Sequence, residues 1–223
     1  LNSADIFKNA GLVLVAVPIQ MTTEIIAKLD NLPADCLLVD ITSTKQKPLD
    51  AMLNVHSGPV LGLHPMFGPD VPSLVKQVVV VCHGREEDKY QWFLQQMTIW
   101  GAILQYSDAK EHDDAMGFIQ VMRHFCSFVF GAHLANENPN LKQLVSLSSP
   151  IYRLELAMVG RLFAQDPALY ADIIFDNKDS VHLLTKFAEQ FAQALILVET
   201  KNKGEFIKRF FKMKADDDRT WSD

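Results

Sequence analysis

The sequence lacks several features that would decide the class of the protein at once. It has three cysteines, Cys36, Cys82 and Cys126, which lie far apart among apolar neighbours. Such cysteines are typical of buried free thiols in a reducing compartment, and their spacing matches no metal site. None of the ten glycines falls in a G-x-G-x-x-G pattern, the turn that holds a dinucleotide. Taken alone, this absence argues against a nicotinamide-dependent enzyme.

Strong charge and long apolar runs are missing as well. The formal net charge is −6 and no basic block occurs, so we expect no nucleic-acid partner. The most apolar stretch, residues 118–135, contains Gln120, Arg123 and two histidines, so we expect no membrane span. With 48% hydrophobic and 22% charged residues, the composition predicts an ordinary globular protein, which we place in the cytoplasm.

Apolar runs alternate with helical patterns in the first half of the chain. The run 12–17, which ends at Pro18, predicts a strand buried on both faces. The predicted strands are residues 12–17, 36–40, 60–63, 78–82 and 102–106, and the helices between them are 22–32, 46–55 and 86–100. This alternation predicts a parallel α/β sheet over residues 1–108, part of a doubly wound domain of the Rossmann type.

Only helical patterns follow in the second half. The predicted helices are residues 111–135, 141–163, 166–175, 178–200 and 204–214. We therefore predict an all-α domain over residues 109–223.

Polar residues follow two of the predicted strands. In the run Leu61–Gly68, His64 comes directly after an apolar strand and before Pro65. Ligands of open α/β sheets bind beyond the carboxyl ends of the strands, and a neutral imidazole there can accept a hydroxyl proton. At the end of the preceding strand, Ser43 is either a helix N-cap or a site residue. Lys45 is either solvated or attracts an anionic substrate at the rim of the crevice.

Two apolar helices of the second half also carry polar side chains. Gln120, His124 and Ser127 are spaced i, i+4 and i+7, so they share one helix face. They form either an interhelical hydrogen-bond network or a wall of a substrate pocket. Arg153 and Arg161 lie among apolar residues, where an arginine either pairs with a neighbouring acid or binds a ligand carboxylate with both nitrogens.

Two segments resemble a known family: Leu-His-Pro-Met-Phe-Gly at 63–68 and Ser-Pro-Ile-Tyr-Arg-Leu-Glu-Leu-Ala-Met at 149–158. The chain resembles prephenate dehydrogenases over nearly its whole length, most closely the dehydrogenase half of the bacterial bifunctional chorismate mutase/prephenate dehydrogenases. The resemblance implies NAD-dependent oxidative decarboxylation of prephenate to 4-hydroxyphenylpyruvate, in tyrosine biosynthesis. An arogenate or related hydroxy-acid dehydrogenase, or a cofactor-free tyrosine-binding or dimerisation module, are the alternatives.

The resemblance also implies roles for individual residues, without a metal. His64 accepts the hydroxyl proton, Ser43 bonds the substrate hydroxyl beside the nicotinamide, and Arg161 binds the ring carboxylate. His124 contacts the substrate side chain or tyrosine, the expected feedback inhibitor. The remaining implied residues are Lys45, Arg153, Gln120 and Tyr170 for the substrate, and Val17, Pro18 and Ile19 for the cofactor. The helical region is expected to form a homodimer. A glycine-rich turn and a mutase domain are expected upstream of Leu1, so we expect residues 1–223 alone to be inactive.

Overall fold

The first half of the chain folds into one five-stranded sheet in the order β1-β2-β3-β4-β5. The computed structural model describes residues 6–216; residues 1–5 and 217–223, at the ends of the two predicted domains, lie outside the described residues. The strands are β1 (Leu12–Val15), β2 (Leu37–Asp40), β3 (Val60–Pro65), β4 (Val78–Arg85) and β5 (Ile103–Tyr106). The α/β prediction is confirmed.

The sheet is not wholly parallel, contrary to the prediction. β1, β2 and β3 are parallel, and so are β4 and β5, but β3 and β4 are antiparallel. The segment between β3 and β4 contains no helix. Without a crossover helix the chain turns back beside the strand that it has just left, and the pair is therefore antiparallel.

Helices cover both faces of the sheet. They are α1 (Ile19–Ala27), α2 (Gln46–Val55) and α3 (Gln91–Ile99), with a 3₁₀ turn at Glu87–Lys89. Alternate residues of a strand face opposite sides, so Leu38 packs with Ile26 and Met52, while Leu37 and Val39 lie in the cluster that includes Leu94.

Within the described residues, the first strand is not buried on both faces, which differs from the prediction. The side chain of Leu14 is 45% exposed. Among the described residues β1 is at one edge of the sheet, and α3, which covers the face of Leu37 and Val39, packs at the opposite edge against β5. Nothing in the apolar run itself distinguishes an edge strand from a central one.

The second half is helical, as predicted. Its elements are α4 (Ala109–Met116), a π-helical turn (Gly117–Met122), α5 (Arg123–Glu137), α6 (Leu141–Leu147), α7 (Pro150–Phe163), α8 (Pro167–Asp176), α9 (Ser180–Glu199) and α10 (Lys203–Asp216). Among the described helices, none is both long and apolar enough to cross a membrane.

Two of the predicted helices are not continuous. The π turn interrupts residues 111–135, and residues 141–163 are broken at Ser148 and Ser149. Ser149 accepts a hydrogen bond from the Tyr152 N–H and Pro150 opens α7, which is the usual sequence of a helix start. Residues up to Ser180 pack as one compact unit and residues from Val181 as another, while the domain boundary near residue 108 remains a prediction.

Candidate active site

The carboxyl ends of β1, β2 and β3 meet at one edge of the sheet because these strands are parallel. This edge carries Pro18, Ser43 and His64, as the sequence predicts. His64 does not lie in a turn beyond its strand, however. It is the fifth residue of β3, pairs with Val80 of β4 and is only 3% exposed. The antiparallel partner, which the sequence did not indicate, extends the ladder of β3 as far as Pro65.

His64 belongs to a chain of three hydrogen-bonded side chains. Its Nδ1 lies 2.8 Å from Nε2 of His112, and Nδ1 of His112 lies 2.8 Å from Oδ1 of Asp113. A carboxylate can only accept, so His112 donates from Nδ1. With Nδ1 as its donor, His112 accepts the Nδ1–H of His64 at its Nε2. The free lone pair of His64 is then on Nε2, which receives the amide N–H of Gln120 at 3.2 Å.

Asp113 is held at the N-terminus of α2. The backbone N–H of Lys45 donates to its Oδ1 at 2.8 Å and that of Gln46 to its Oδ2 at 3.0 Å. Burial raises the pKa of Asp113, but the hydrogen bonds from His112, Gln46 and Lys45 together outweigh it and hold the pKa below its usual value. Asp113 is therefore ionised, and the positive end of the helix dipole favours that charge.

This arrangement corrects the N-cap prediction for Ser43. Lys45 occupies the N-cap position of α2 without a side-chain cap, and the carboxylate of Asp113 caps the helix from a distant part of the sequence. Ser43 is half-buried, and its hydroxyl bonds no other described residue.

The pKa of His64 is lowered to about 3. Burial is the main cause; the neighbouring His112 and the cation of Lys45 act in the same direction, and the carboxylate of Asp113 opposes them. The imidazole is therefore neutral near pH 7, the state in which it can accept a proton.

Lys45 forms a buried ion pair with Asp40, and both side chains are fully buried. Nζ of Lys45 also donates to the carbonyl of Leu63 at 2.6 Å, and the hydroxyl of Thr42 donates to Oδ2 of Asp40 at 2.6 Å. Burial lowers the pKa of Lys45, while Asp40 opposes this shift. The expectation of a solvated or rim lysine is wrong.

The ion pair lies against Gly62 of β3. A Cβ on Gly62 would lie 3.4 Å from Cδ of Lys45 and 3.4 Å from Oδ1 of Asp40, which is ordinary van der Waals contact. Oδ1 of Asp40 is buried and has no hydrogen-bond partner within the described part of the chain.

The predicted polar stripe of the second half divides into separate contacts. Gln120 lies on the π turn and reaches His64, whereas His124 meets the ring of Tyr170 edge-on, with ring centroids 4.7 Å apart. Ser127 donates to the carbonyl of Arg123 at 3.0 Å. Burial, with Arg123 and Arg161, lowers the pKa of His124 to about 4. The wider π turn separates Gln120 from the face that an uninterrupted α-helix would give it.

The two arginines of α7 are exposed rather than buried. Arg161 lies beside the loop that follows His64, since a Cβ on Gly68 would be 3.9 Å from its Nη2. Arg153 lies near the start of the helix and donates to the hydroxyl of Ser148 at 3.4 Å. Of the two arginines, Arg161 therefore lies beside the loop that follows His64, and Arg153 does not.

The remaining predicted residues differ in accessibility. Val17 is half-buried and Pro18 is exposed at the end of β1, but Ile19 is buried in the first turn of α1. Tyr170 is half-buried and donates to Oε1 of Gln165 at 2.6 Å.

His112 and Asp113 were not predicted as site residues. The only local signal is a histidine beside an acid in the Glu-His-Asp-Asp run of residues 111–114. That run lies 48 residues beyond His64, and its approach to β3 depends on how α4 packs against α2.

Two family models together match most of the chain. The model described as prephenate dehydrogenase, nucleotide-binding domain, matches residues 2–103, and the model described as prephenate dehydrogenase, dimerization domain, matches residues 108–212. The T-protein of Enterobacter agglomerans is 57% identical over 92% of this chain and 55% of its own length. The T-protein of Haemophilus influenzae is 49% identical over 94% and 56%. The chain thus spans about half the length of these curated relatives.

Solved structures show the same fold at low identity. The prephenate dehydrogenase of Aquifex aeolicus superposes with a TM-score of 0.72 at 18% identity, over 96% of this chain and 80% of that one. The arogenate dehydrogenase of Synechocystis gives a TM-score of 0.71 at 17% identity, over 98% and 82%.

Proposed function

Because the chain belongs to the prephenate dehydrogenase family, we propose that it catalyses the NAD-dependent oxidation and decarboxylation of prephenate to 4-hydroxyphenylpyruvate. The single observation that carries this proposal is the buried, neutral His64, whose Nε2 lone pair is oriented by His112 at the carboxyl edge of the sheet. The free lone pair of a neutral imidazole can accept a hydroxyl proton during oxidation.

Four residues of the chain have separate roles in the proposed reaction. His64 takes the hydroxyl proton on Nε2 as the ring carbon becomes a carbonyl. Gln120, whose amide now bonds Nε2, gives up this contact to the substrate hydroxyl. Ser43, at the adjacent strand end, orients the same hydroxyl. The exposed guanidinium of Arg161 binds the ring carboxylate until it leaves as carbon dioxide. The electron pair of the broken C–C bond makes the ring aromatic, and the ring oxygen takes the proton back from His64 to give the phenol.

The residues at the carboxyl edge of the sheet fit the nicotinamide half of NAD. When bound, it accepts the hydride from the hydroxyl-bearing carbon. Val17, Pro18 and Ser43 lie at the ends of parallel strands, where the nicotinamide half of a dinucleotide binds in open α/β sheets. The Aquifex aeolicus enzyme, which shares this fold, was crystallised with hydroxyphenyl propionate and NAD+. The sequence offers no G-x-G-x-x-G turn, so we assign no residue to the pyrophosphate.

We also propose a cytoplasmic homodimer that assembles through its helical half. Large apolar side chains of this half are exposed, among them Phe175 at 85%, Phe191 at 67% and Phe210 at 63%. Exposed apolar patches mark interfaces, and the matching family model is described as a dimerization domain. Sedimentation at micromolar concentration should show a dimer, and a monomer alone would contradict this assembly.

Tyrosine is proposed as the feedback inhibitor of this site. His124 is half-buried against Tyr170, and Arg161 is near enough to lower its pKa. A phenolic amino acid with a carboxylate matches such a set of an arginine, an imidazole and an aromatic ring.

The activity is tested with the purified full-length protein. NADH formation and release of carbon dioxide are measured with prephenate and, in parallel, with arogenate as substrate. We expect faster turnover of prephenate. Faster turnover of arogenate would mean that the substrate is arogenate and not prephenate. No turnover of either compound would refute the dehydrogenase proposal.

A further inference from the structure

We propose that His112 and Asp113 are positioning residues for His64. The carboxylate of Asp113, acting through His112, holds His64 in the tautomer whose Nε2 lone pair faces the substrate. This inference rests on the proposed function for its kinetic consequence, but the tautomer itself is measurable without turnover.

The geometry leaves Asp113 one orientation. Its Oδ1 accepts from the N–H of Lys45 and from Nδ1 of His112, both at 2.8 Å, and its Oδ2 accepts from the N–H of Gln46 at 3.0 Å. The carbonyl of the same residue accepts the amide of Asn177 at 3.2 Å. Since both oxygens are bonded to backbone donors, the carboxylate cannot rotate away from His112.

The direction of the hydrogen bonds follows from the ionised end. Asp113 accepts, so His112 must donate from Nδ1 and accept at Nε2, and His64 must therefore donate from Nδ1. The rings stand at 71° with centroids 5.1 Å apart, an edge contact that suits one nitrogen facing another. His112 is 2% exposed, which excludes water as a competing partner for its ring.

The charged groups around His64 determine how stable its protonated, imidazolium form is. Lys45, on the carbonyl of Leu63, disfavours a positive imidazole, and Gln120 carries no charge. Asp113 is the carboxylate that favours the protonated form of His64. When His64 takes up a proton, Asp113 therefore stabilises the imidazolium through His112.

The substitution Asp113→Asn removes the negative charge of the side chain but keeps its shape. The amide oxygen can still accept from the N-terminus of α2, since asparagine caps helices well. With the amide oxygen on the N–H of Gln46, the NH₂ group takes the place of Oδ1, faces His112 and donates to its Nδ1, while the N–H of Lys45 loses its acceptor. The proton of His112 then moves to Nε2, which donates to Nδ1 of His64, and the proton of His64 moves to Nε2. The lone pair needed by the substrate is lost.

The experiment reads the histidine tautomers of the full-length protein by ¹⁵N NMR and measures kcat for prephenate. We expect the His64 proton on Nδ1 in the wild type and on Nε2 in Asp113→Asn, with kcat reduced about 10²–10⁴-fold and KM little changed. Asp114→Asn is the matched control, because Asp114 is the exposed neighbour that pairs with Lys110, and it should behave as the wild type.

A second pair of variants covers the case in which Asp113→Asn does not fold. In His112→Gln the amide oxygen can accept from Nδ1 of His64, so we expect the wild-type tautomer and the smaller loss of kcat. His112→Phe offers no acceptor, and we expect a mixture of tautomers and the larger loss.

Three results overturn the proposal: a His64 proton on Nδ1 in Asp113→Asn, a kcat within a few-fold of the wild type, or equal behaviour of His112→Gln and His112→Phe. Failure of the proposed function looks different. In that case the wild type turns over no prephenate, while the tautomers of His64 still report whether His112 and Asp113 orient it.

Discussion

Two groups of polar residues in this protein are built in opposite ways. The strand-end cluster, which consists of Asp40, Lys45, His64, His112 and Asp113, is almost wholly buried, and every member except Asp40 bonds another that is distant in sequence. The helical cluster, which consists of His124, Arg153, Arg161 and Tyr170, is half-buried or exposed and bonds mainly to residues nearby in the chain.

The difference shows where orientation matters and where charge matters. Buried polar groups are expensive unless every partner is in place, so the strand-end cluster gains a fixed geometry at the cost of desolvation. The helical cluster keeps its cations hydrated and able to meet a charged ligand. We therefore expect substitutions in the first cluster to change kcat or stability, and those in the second to change binding.

The largest effect is expected at the proton acceptor of the strand-end cluster. His64→Asn should lower kcat for prephenate about 10²–10⁴-fold, the usual contribution of a positioned acid or base, with little change in melting temperature. His133→Asn, at an exposed position of α5, is the control. Steady-state kinetics decide the matter: kcat within a few-fold of the wild type removes His64 from the mechanism.

The next effect is on stability. Lys45→Met leaves the carboxylate of Asp40 buried without its cation, which should reduce the free energy of unfolding by about 3–5 kcal/mol. Lys47→Met removes an exposed pair with Asp176 and should cost less than about 1 kcal/mol. Urea unfolding compares the two. Equal losses would mean that the buried pair contributes no more than a surface pair.

In the helical cluster, substitutions are expected to change substrate binding. Arg161→Gln should raise KM for prephenate far more than KM for NAD. A lost charge-assisted bond costs roughly 1.5–3 kcal/mol, or about 10- to 150-fold in affinity. Arg153→Gln should have a smaller effect, because Arg153 bonds Ser148. A lowered melting temperature with equal changes in both KM values would assign Arg161 to structure instead.

Response to tyrosine is expected to depend on His124. His124→Ala should weaken inhibition by roughly 0.5–1.5 kcal/mol, or about 2- to 13-fold, the range of one hydrogen bond. The concentration of tyrosine that halves the rate is compared with KM for prephenate in the same variant. An unchanged inhibition curve would leave His124 as a packing partner of Tyr170.

The last effect depends on pH and concerns one histidine of each cluster. The pKa values of His64 and His124 are lowered to about 3 and about 4, so the unfolded chain binds more protons below pH 6.5. Stability should therefore fall as the pH is lowered from about 6.5 towards these values. Urea midpoints from pH 7 to pH 4.5 should fall less steeply in His64→Asn than in the wild type. Parallel curves would contradict the lowered pKa of His64.

The sequence predicted the features that depend on local pattern. Apolar runs located the strands, and the position of His64 near a strand end predicted a proton acceptor there, which stays a prediction. The π turn at Gly117–Met122 and the antiparallel β4 were not predicted, because both depend on tertiary packing rather than on periodicity. The burial of Lys45 was not predicted for the same reason, since its ammonium group bonds Asp40 on β2 and the carbonyl of Leu63 on β3.

One carboxylate, that of Asp113, both caps α2 and orients His112. The backbone N–H groups of Lys45 and Gln46 can exchange with solvent deuterium only after their hydrogen bonds to the carboxylate of Asp113 have broken. Their exchange rates therefore measure how often the cap opens, and each opening also leaves His112 without its acceptor. Slower exchange of these two amides with bound substrate would mean that occupancy of the site tightens the first turn of a helix that the substrate does not touch.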